Sequence, residues 1–201
     1  MNIQFWDSRY GEEGFAYGMT PNVFLSSFAD RFKTGQKVLV VGDGEGRNGV
    51  WLAEQGCKVV SVDSSRVGID KAKNLAAEKG VEIEAVCADL NDWDWPELEF
   101  DFVVIIYVHF PPDVRATLHN KVVSTLKQGG QLIMESFTPE QLNYSSGGPP
   151  VLEMLYTPEM MATDFKALEI QQLEECITEL NEGKYHCGEG AVVRLLARKT
   201  A

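Results

Sequence analysis

Short runs of apolar residues alternate along the chain with stretches in which apolar positions recur at helical spacing. Residues 38–41 and 100–109 are such runs, and each predicts a strand that is buried on both faces of a sheet. Residues 47–55, 65–79 and 113–126 predict the helices between the strands. This alternation of strands and helices predicts a mostly parallel sheet joined by right-handed crossovers.

The remaining apolar pattern predicts five more strands. Three of them are expected at residues 58–63, 81–87 and 131–137, each bounded by glycine or polar residues. Residues 170–180 and 191–198 predict two strands joined by a short turn, which is an antiparallel hairpin. We therefore expect an α/β fold that ends in a β-hairpin.

The N-terminal part of the chain does not follow this alternation. Residues 1–20 are rich in aromatic residues and glycine, which predicts an irregular segment. Thr20 is expected to cap a helix that has Pro21 at its first position. We expect Trp6 to pack on the core, whereas Tyr17 fits equally well as a packing residue or as part of a lid over a ligand.

The strand at residues 38–41 leads into a glycine-rich turn. Residues 42–49 read Gly-Asp-Gly-Glu-Gly-Arg-Asn-Gly. Glycine tolerates positive φ angles and has no Cβ, so this turn can bend sharply and bring its backbone close to a ligand. A strand, a glycine turn and a helix open the nucleotide-binding unit of α/β proteins. The turn also satisfies the Gly-x-Gly-x-x-Gly pattern of dinucleotide sites, although a lone match of that kind is weak evidence.

Acidic residues in and after the turn narrow the class of ligand. Asp43 and Glu45 would repel the pyrophosphate of a dinucleotide but not a cation such as the sulfonium of S-adenosylmethionine. Asp63 ends the second strand, where an acid accepts hydrogen bonds from ribose hydroxyls, and its alternative role is to cap the following helix. Asp89 follows the third strand, where it fits either the amino group of an adenine or a simple turn.

Composition and charge narrow the class of partner. The chain has 201 residues, of which 44% are hydrophobic, and this suits one domain with a sizeable core. Its net charge of −12 disfavours nucleic acids and membrane surfaces as partners.

The four cysteines are scattered, so we expect no metal site. No basic and apolar leader is seen, which makes the cytoplasm the expected location.

Taken as an ordered set, the glycines and acids resemble those of a known family. Gly42, Gly44, Gly46, Asp63 and Asp89 match, in order, positions of the class I S-adenosylmethionine-dependent methyltransferases. The resemblance implies a Rossmann-like three-layer sandwich whose seven strands have the order 3-2-1-4-5-7-6, with strand 7 antiparallel. It also implies that Asp63 holds the ribose and Asp89 the adenine of the cofactor. The implied cofactor-binding residues are Gly42, Asp43, Gly44, Gly46, Asn48, Asp63, Ser64, Asp89, Leu90 and Tyr107.

A narrower resemblance adds the two ends of the chain. Trp6-Asp7-x-Arg9-Tyr10, Gly147-Gly148-Pro149 and Tyr185-His186 are similar to motifs of the TehB-type branch, the tellurite-resistance methyltransferases and their relatives. Val40 departs from the wider family, in which many members carry an acid near the end of strand 1. The whole chain is then interpreted as one domain of residues 1–201, with a lid and helix region at 1–34 and a Rossmann-like core at 35–201.

The resemblance implies methyl transfer to a small-molecule acceptor, for which a chalcogen oxyanion and a thiol are the classes it suggests. His109 follows strand 4, near the expected methyl, and is the candidate that binds or deprotonates the acceptor. Its alternative role is to cap the strand, and His186 is a second candidate whose alternative is a surface loop residue. The candidate acceptor-binding residues are Arg9, Tyr17, His109, Tyr144 and His186.

The sequence leaves two other functions open. One is an NAD(P)-dependent reductase, and the other is a catalytically silent domain that only binds S-adenosylmethionine. An oxyanion acceptor would need a cation, for which Arg9 and Arg47 are the candidates. We expect a monomer or a weak homo-oligomer.

Overall fold

The computed structural model describes residues 3–200. They form a seven-stranded sheet of order β3-β2-β1-β4-β5-β7-β6, in which β7 is antiparallel to both of its neighbours. The strands are β1 (Lys37–Val41), β2 (Lys58–Asp63), β3 (Glu84–Cys87), β4 (Phe100–Ile106), β5 (Leu126–Phe137), β6 (Glu169–Asn181) and β7 (Cys187–Arg198). The helices are α1 (Ile3–Tyr10), α2 (Val23–Ser26), α3 (Arg47–Glu54), α4 (Arg66–Lys79), α5 (Pro112–Thr125) and α6 (Pro158–Asp164). Within residues 3–200, no helix is both long enough and apolar enough to cross a bilayer.

The central strands are apolar because helices cover both faces of the sheet. Val38 and Val40 pack into the core on one face, whereas Leu39 and Val41 pack into the core on the other. All four side chains are at most 1% exposed. Burial of alternate residues on opposite faces explains why this strand shows a continuous apolar run instead of an alternating pattern.

The sheet confirms the expected fold class. The strand order, the antiparallel seventh strand and the terminal hairpin all agree with the prediction. Four strand boundaries differ from the prediction by three residues or more. β4 ends at Ile106 instead of residue 109, and β7 begins at Cys187 instead of residue 191. β3 begins at Glu84 instead of residue 81, and β5 begins at Leu126, so residues 126–130 extend the strand that was expected from residue 131.

The prediction of an irregular segment over residues 1–20 was wrong for residues 3–10, which form helix α1, and its residues 1 and 2 lie outside the described residues. The aromatic residues of this segment have the four-residue spacing of a helix face. The rings of Trp6 and Tyr10 stack with centroids 5.5 Å apart, and the guanidinium of Arg9 lies 4.6 Å from the Phe5 ring. The glycines that suggested irregular structure begin only after the helix, at Gly11.

The predicted cap of the next helix is also two residues too early. Asn22, not Thr20, is the N-cap of α2, and its side chain accepts a hydrogen bond from Leu25 N. Asn22 is 1% exposed and its amide nitrogen donates to two buried carboxylates, those of Glu135 and Glu182. The short helix is therefore held by tertiary contacts as well as by its cap.

Candidate active site

A cavity of about 440 Å³ lies at the carboxyl ends of the parallel strands. Gly42 follows β1, Asp63 ends β2, Tyr107 follows β4 and Phe137 ends β5, and all four line the cavity. Open parallel sheets bind ligands at this edge, where the strand order reverses, which here is between β1 and β4. The fold therefore brings together residues that are almost one hundred positions apart along the chain.

The glycine turn is packed so tightly that side chains would not fit. Gly42 has a φ of 64°, and a Cβ there would lie 2.5 Å from Val108 Cγ2. Gly44 has a φ of 59°, and a Cβ there would lie 2.5 Å from the Tyr10 hydroxyl. Gly42 lines the cavity, whereas Gly44 and Gly46 shape the turn from behind. The turn can thus expose backbone to a ligand, as predicted for a nucleotide-like site.

The carboxylate of Asp43 is held by the protein itself. Asp43 Oδ2 accepts a hydrogen bond from the Ser61 hydroxyl at 2.7 Å and lies 3.2 Å from Gly49 N. Burial raises the pKa of Asp43 to about 6, although the hydrogen bonds from Ser61 and Gly49 oppose this shift. Asp43 lines the cavity, but its first role is to tie the turn to β2 and to the start of α3.

The second acid of the turn is paired as well. Glu45 accepts a hydrogen bond from Ala16 N at 2.7 Å and forms an ion pair with Lys71 at 2.9 Å. The expectation that both acids repel a pyrophosphate needs correction for Glu45, because Lys71 balances its charge. The acids instead fix the turn and attach the N-terminal segment to it.

Asp63 has the geometry expected of a group that binds a ribose. Its two carboxylate oxygens accept hydrogen bonds from Gly44 N at 2.9 Å and from Ser65 N at 2.8 Å. Each oxygen keeps a further lone pair, and the residue lines the cavity together with Ser64 and Leu90. Burial raises the pKa of Asp63, and the backbone N–H groups oppose that shift. These residues fit the hydroxyl donors of an adenosyl ligand.

Asp89 is not among the residues that line the cavity, and its assignment to the adenine stays a prediction. Its Oδ1 atom accepts hydrogen bonds from the backbone and side-chain nitrogens of Asn91, at 2.9 and 2.8 Å. This is the turn alternative that the sequence had left open. Leu90, the next residue, is 1% exposed and lines the cavity instead.

Aromatic rings form the opposite wall of the cavity. The Tyr107 ring stacks on Phe137 at 4.6 Å and meets His186 edge-on at 4.6 Å. The Tyr17 ring lies 4.5 Å from the same histidine. Tyr107 has a φ of 56°, which is rare for a side chain of this size, and its hydroxyl donates to Glu135 at 2.6 Å. We call this group of residues (Tyr17, Tyr107, Phe137 and His186) the aromatic wall.

His109 lines the cavity, but both of its ring nitrogens are engaged by backbone. Nδ1 donates to the Met154 carbonyl at 2.7 Å, and Nε2 accepts the Phe137 N–H at 3.2 Å. Burial lowers the pKa of His109 to about 4, and the hydrogen bond to Met154 only partly opposes this shift. The predicted role as a base is therefore corrected, since no lone pair is left to accept a proton from an acceptor.

His186 differs from His109 in having a ring nitrogen available. Nδ1 faces the Glu182 carboxylate at 3.4 Å, while Nε2 has no hydrogen-bond partner among residues 3–200. Burial lowers the pKa of His186, although Glu182 opposes the shift. His186 lines the cavity, so the histidine that was the weaker candidate has the better geometry for accepting a proton.

A buried ionic network supports the aromatic wall from beneath. Arg47 pairs with Glu182 at 2.9 Å, and Arg194 pairs with Glu135 at 2.5 Å. Asn22 links the two carboxylates, with its amide nitrogen 2.7 Å from Glu135 and 2.9 Å from Glu182. Glu135 accepts from the Tyr107 hydroxyl and Glu182 faces His186, so this network holds two members of the wall in place.

The remaining cofactor and acceptor candidates divide into those that reach the cavity and one that does not. Asn48 lines the cavity and also accepts a hydrogen bond from Asn22 N at 2.9 Å. Arg9 and Tyr17 line it from the N-terminal segment. Tyr144 does not line the cavity, whereas the next residue of its loop, Ser145, does.

The N-terminal segment covers part of the cavity. Trp6, which we expected to pack on the core, lines the cavity, as does Tyr10. Glu12 forms an ion pair with Lys184 and accepts a hydrogen bond from the Tyr185 hydroxyl at 2.7 Å. These contacts join the N-terminal segment to the loop between β6 and β7.

Sequence reasoning missed several lining residues. They end a strand, follow a strand or lie in a connection, where no local pattern marks them: Ile106, Val108, Phe137, Ser145 and Met154. A signal was present for others, because motifs of the branch resemblance contain Gly147, Gly148, Pro149 and Tyr185.

Comparisons with known proteins agree with this geometry. Residues 38–130 match the family model described as a methyltransferase domain. The chain is 30% identical, over 164 residues, to the tRNA (uracil(54)-C(5))-methyltransferase of Pyrococcus furiosus, a match that covers 75% of this chain and 36% of that protein. The chain spans between 36% and 65% of the length of the curated relatives it matches.

Solved structures show the same fold at low sequence identity. One of them is described by the words "Conversion of a Disulfide Bond into a Thioacetal Group during Echinomycin Biosynthesis". It has a TM-score of 0.79 and 17% identity to this chain, and the alignment covers 100% of this chain and 92% of that chain. TehB from Haemophilus influenzae has a TM-score of 0.74 and 18% identity, covering 98% and 67% of the two chains. The cofactor implied by this family is S-adenosylmethionine, which the glycine turn and Asp63 fit. The chain therefore has the fold of the class I S-adenosylmethionine-dependent methyltransferases, and its residues 38–130 match the model of a methyltransferase domain.

Proposed function

We propose that this protein is an S-adenosylmethionine-dependent methyltransferase that acts on a small-molecule acceptor, with a thiol as the favoured class. One observation carries the proposal: a single cavity joins the glycine turn and Asp63 on one side to the aromatic wall on the other. A cofactor and an acceptor can therefore meet at the switch point between β1 and β4.

The residues on the cofactor side bind and orient. The carboxylate of Asp63 would accept hydrogen bonds from the ribose hydroxyls, and Gly42 would bring backbone close to the methionine part. When bound, S-adenosylmethionine supplies a methyl group on a sulfonium sulfur, and the departure of that methyl leaves a neutral thioether. Because the leaving group is neutral, the chain needs no acid at this position, and alignment and exclusion of water supply most of the catalysis.

The aromatic wall supplies a proton acceptor for the nucleophile. His186 Nε2 is free to take the S–H proton of a thiol, while Glu182 keeps Nδ1 protonated and orients the ring. Arg47 is paired with Glu182, so it offers no unpaired charge to a chalcogen oxyanion. A thiol has an S–H proton for Nε2 to take, so this side of the cavity favours a thiol as the group that is methylated.

Calorimetry with S-adenosylmethionine and with NADH tests the cofactor. We expect S-adenosylmethionine to bind and NADH not to bind, and the reverse result would favour the reductase.

Asp63→Ala should weaken S-adenosylmethionine binding at least tenfold, which is about the contribution of one hydrogen bond to a charged group. Asp113→Ala is the matched control, because Asp113 lies in α5, which contributes no residue to the lining, and the affinity of this variant should match that of the wild type.

Release of S-adenosylhomocysteine across a panel of acceptors tests the reaction. The panel contains thiols, selenite, tellurite and unmodified tRNA, because one relative is named as a tRNA methyltransferase. We expect turnover with thiols. Turnover with tRNA alone would reject the small-molecule acceptor, and S-adenosylmethionine binding without turnover on any acceptor would favour the silent domain.

A further inference from the structure

Arg9 is a cation of the cavity lining, and its guanidinium contacts neutral groups. Its Nη1 donates to the Tyr17 hydroxyl at 2.9 Å, and its guanidinium lies 4.0 Å from the centre of the Tyr185 ring. Within residues 3–200, no carboxylate lies at ion-pair distance from it. A guanidinium carries five N–H donors, and one of them is used here by a neutral partner.

The other arginines and lysines near the cavity are paired. Arg47 pairs with Glu182, Lys71 with Glu45 and Lys184 with Glu12. Arg9 is instead held between aromatic rings, which fix the guanidinium in place without neutralising its charge. Such a guanidinium is arranged in advance to bind a planar oxyanion through its N–H fork.

Arg9 lies next to the aromatic wall, where it contacts Tyr17 and the rings of Phe5, Trp6 and Tyr185. Tyr17 connects the two, since its hydroxyl accepts from Arg9 and its ring packs against His186 at 4.5 Å. Arg9 is partly exposed, whereas His186 is 6% exposed. The cation therefore lies at the outer end of the cavity and the free nitrogen of His186 at its inner end. The inner end consists of rings and of charges that are already paired.

We propose that the acceptor is a molecule with an uncharged nucleophilic group, such as a thiol, at one end and a carboxylate at the other. The nucleophile enters the aromatic wall beside His186, and the carboxylate binds Arg9. This inference rests on the proposed methyltransferase function and specifies its acceptor.

Two matched aromatic thiols test it: benzenethiol and 4-mercaptobenzoate, which differ by one carboxylate. In the wild type, we expect kcat/KM to be about tenfold higher for the carboxylate-bearing thiol, the effect of one charge-assisted hydrogen bond. Arg9→Gln should abolish this preference by raising the KM for 4-mercaptobenzoate. The kcat/KM for benzenethiol should change less than about twofold. Arg9→Lys should restore part of it.

Lys184→Gln is the matched control, since Lys184 is a lining cation that already has a carboxylate partner. We expect it to keep the wild-type preference. If Arg9→Gln instead weakens S-adenosylmethionine binding and slows both thiols equally, Arg9 holds the cofactor and the proposal fails. Equal use of both thiols by the wild type would also reject it.

A direct binding measurement separates this inference from the proposed reaction. Calorimetry with 4-mercaptobenzoate and S-adenosylhomocysteine together does not depend on turnover. We expect binding that Arg9→Gln weakens about tenfold. If the wild type binds 4-mercaptobenzoate in this way but transfers no methyl group, the acceptor site stands and the proposed reaction fails. No binding by the wild type would reject the acceptor site.

Discussion

At the scale of single residues, the three histidines show how environment decides chemistry. His109 gives both ring nitrogens to backbone groups, and His119 binds Asp164 at 2.8 Å with its other nitrogen sealed in the core. His186 keeps Nε2 available beside the cavity. The sequence favoured His109 because it follows the central strand, but position along the chain does not reveal which nitrogens are occupied.

The ionisation of His109 provides a test at this scale. Its pKa is lowered to about 4, chiefly by burial, so the ring should stay neutral from pH 8 down to pH 5. NMR of histidine side chains should show one resonance that does not titrate in this range, and that resonance should be lost in His109→Asn. Because the folded pKa is depressed, the neutral ring favours folding above pH 6.5, and that advantage is lost as pH falls towards 4. A midpoint near 6.5 for His109 would contradict the assignment.

At the scale of elements, Gly46 determines how closely helices α3 and α4 approach each other. It precedes α3 with a φ of 90°, and a Cβ there would lie 2.6 Å from Ala72 Cβ and 2.8 Å from Ala72 Cα. Ala72 belongs to α4, so a side chain at Gly46 would push α3 away from α4. The glycine pattern predicted a sharp turn, but the tight contact with Ala72 depends on how the helices pack.

Gly46→Ala should therefore destabilise the protein more than a glycine substitution that only strains the backbone. We expect a loss of about 2–4 kcal/mol in the free energy of unfolding, from positive φ and overpacking together. Gly80→Ala is the matched control: its φ is 70° and no atom lies within 4 Å of the new Cβ, so a loss of about 1 kcal/mol is expected. Urea unfolding of both variants measures the difference, and equal losses would contradict the packing argument.

At the scale of the whole molecule, the N-terminal segment and the loop between β6 and β7 meet beside the cavity. Residues 3–18 contact the loop at 182–186 through an ion pair, a ring contact and close backbone packing: Glu12 to Lys184, Tyr17 to His186, and Gly18 to Gly183. More than 160 residues separate these partners. The predicted lid region is therefore joined to the hairpin loop, and both contribute residues to the lining.

Hydrogen exchange tests whether these two segments act together. We expect S-adenosylmethionine to slow amide exchange in residues 3–18 and 182–186 by a similar factor, because a ligand beneath them would stabilise their joint closed state. Helix α5, which contributes no residue to the lining, is the internal reference and should not change. Protection of only one of the two segments would show that they move separately.

The sequence alone determined the sheet, the glycine turn and the position of Asp63. These features depend on local patterns: apolar runs form buried strands, glycines form sharp turns, and an acid at a strand end lies at the ligand-binding edge. The strand order and the cofactor class came from the resemblance that those residues carry.

Only the tertiary structure decided which polar groups are free. Both ring nitrogens of His109 are engaged by backbone groups and Arg47 pairs with Glu182, whereas Arg9 and His186 keep atoms available to a ligand. Hydrogen bonds between side chains act over about 3 Å, between residues that are often more than one hundred positions apart. No local pattern in a sequence records such pairings, so the chemistry of this cavity depends on the packing of the whole chain.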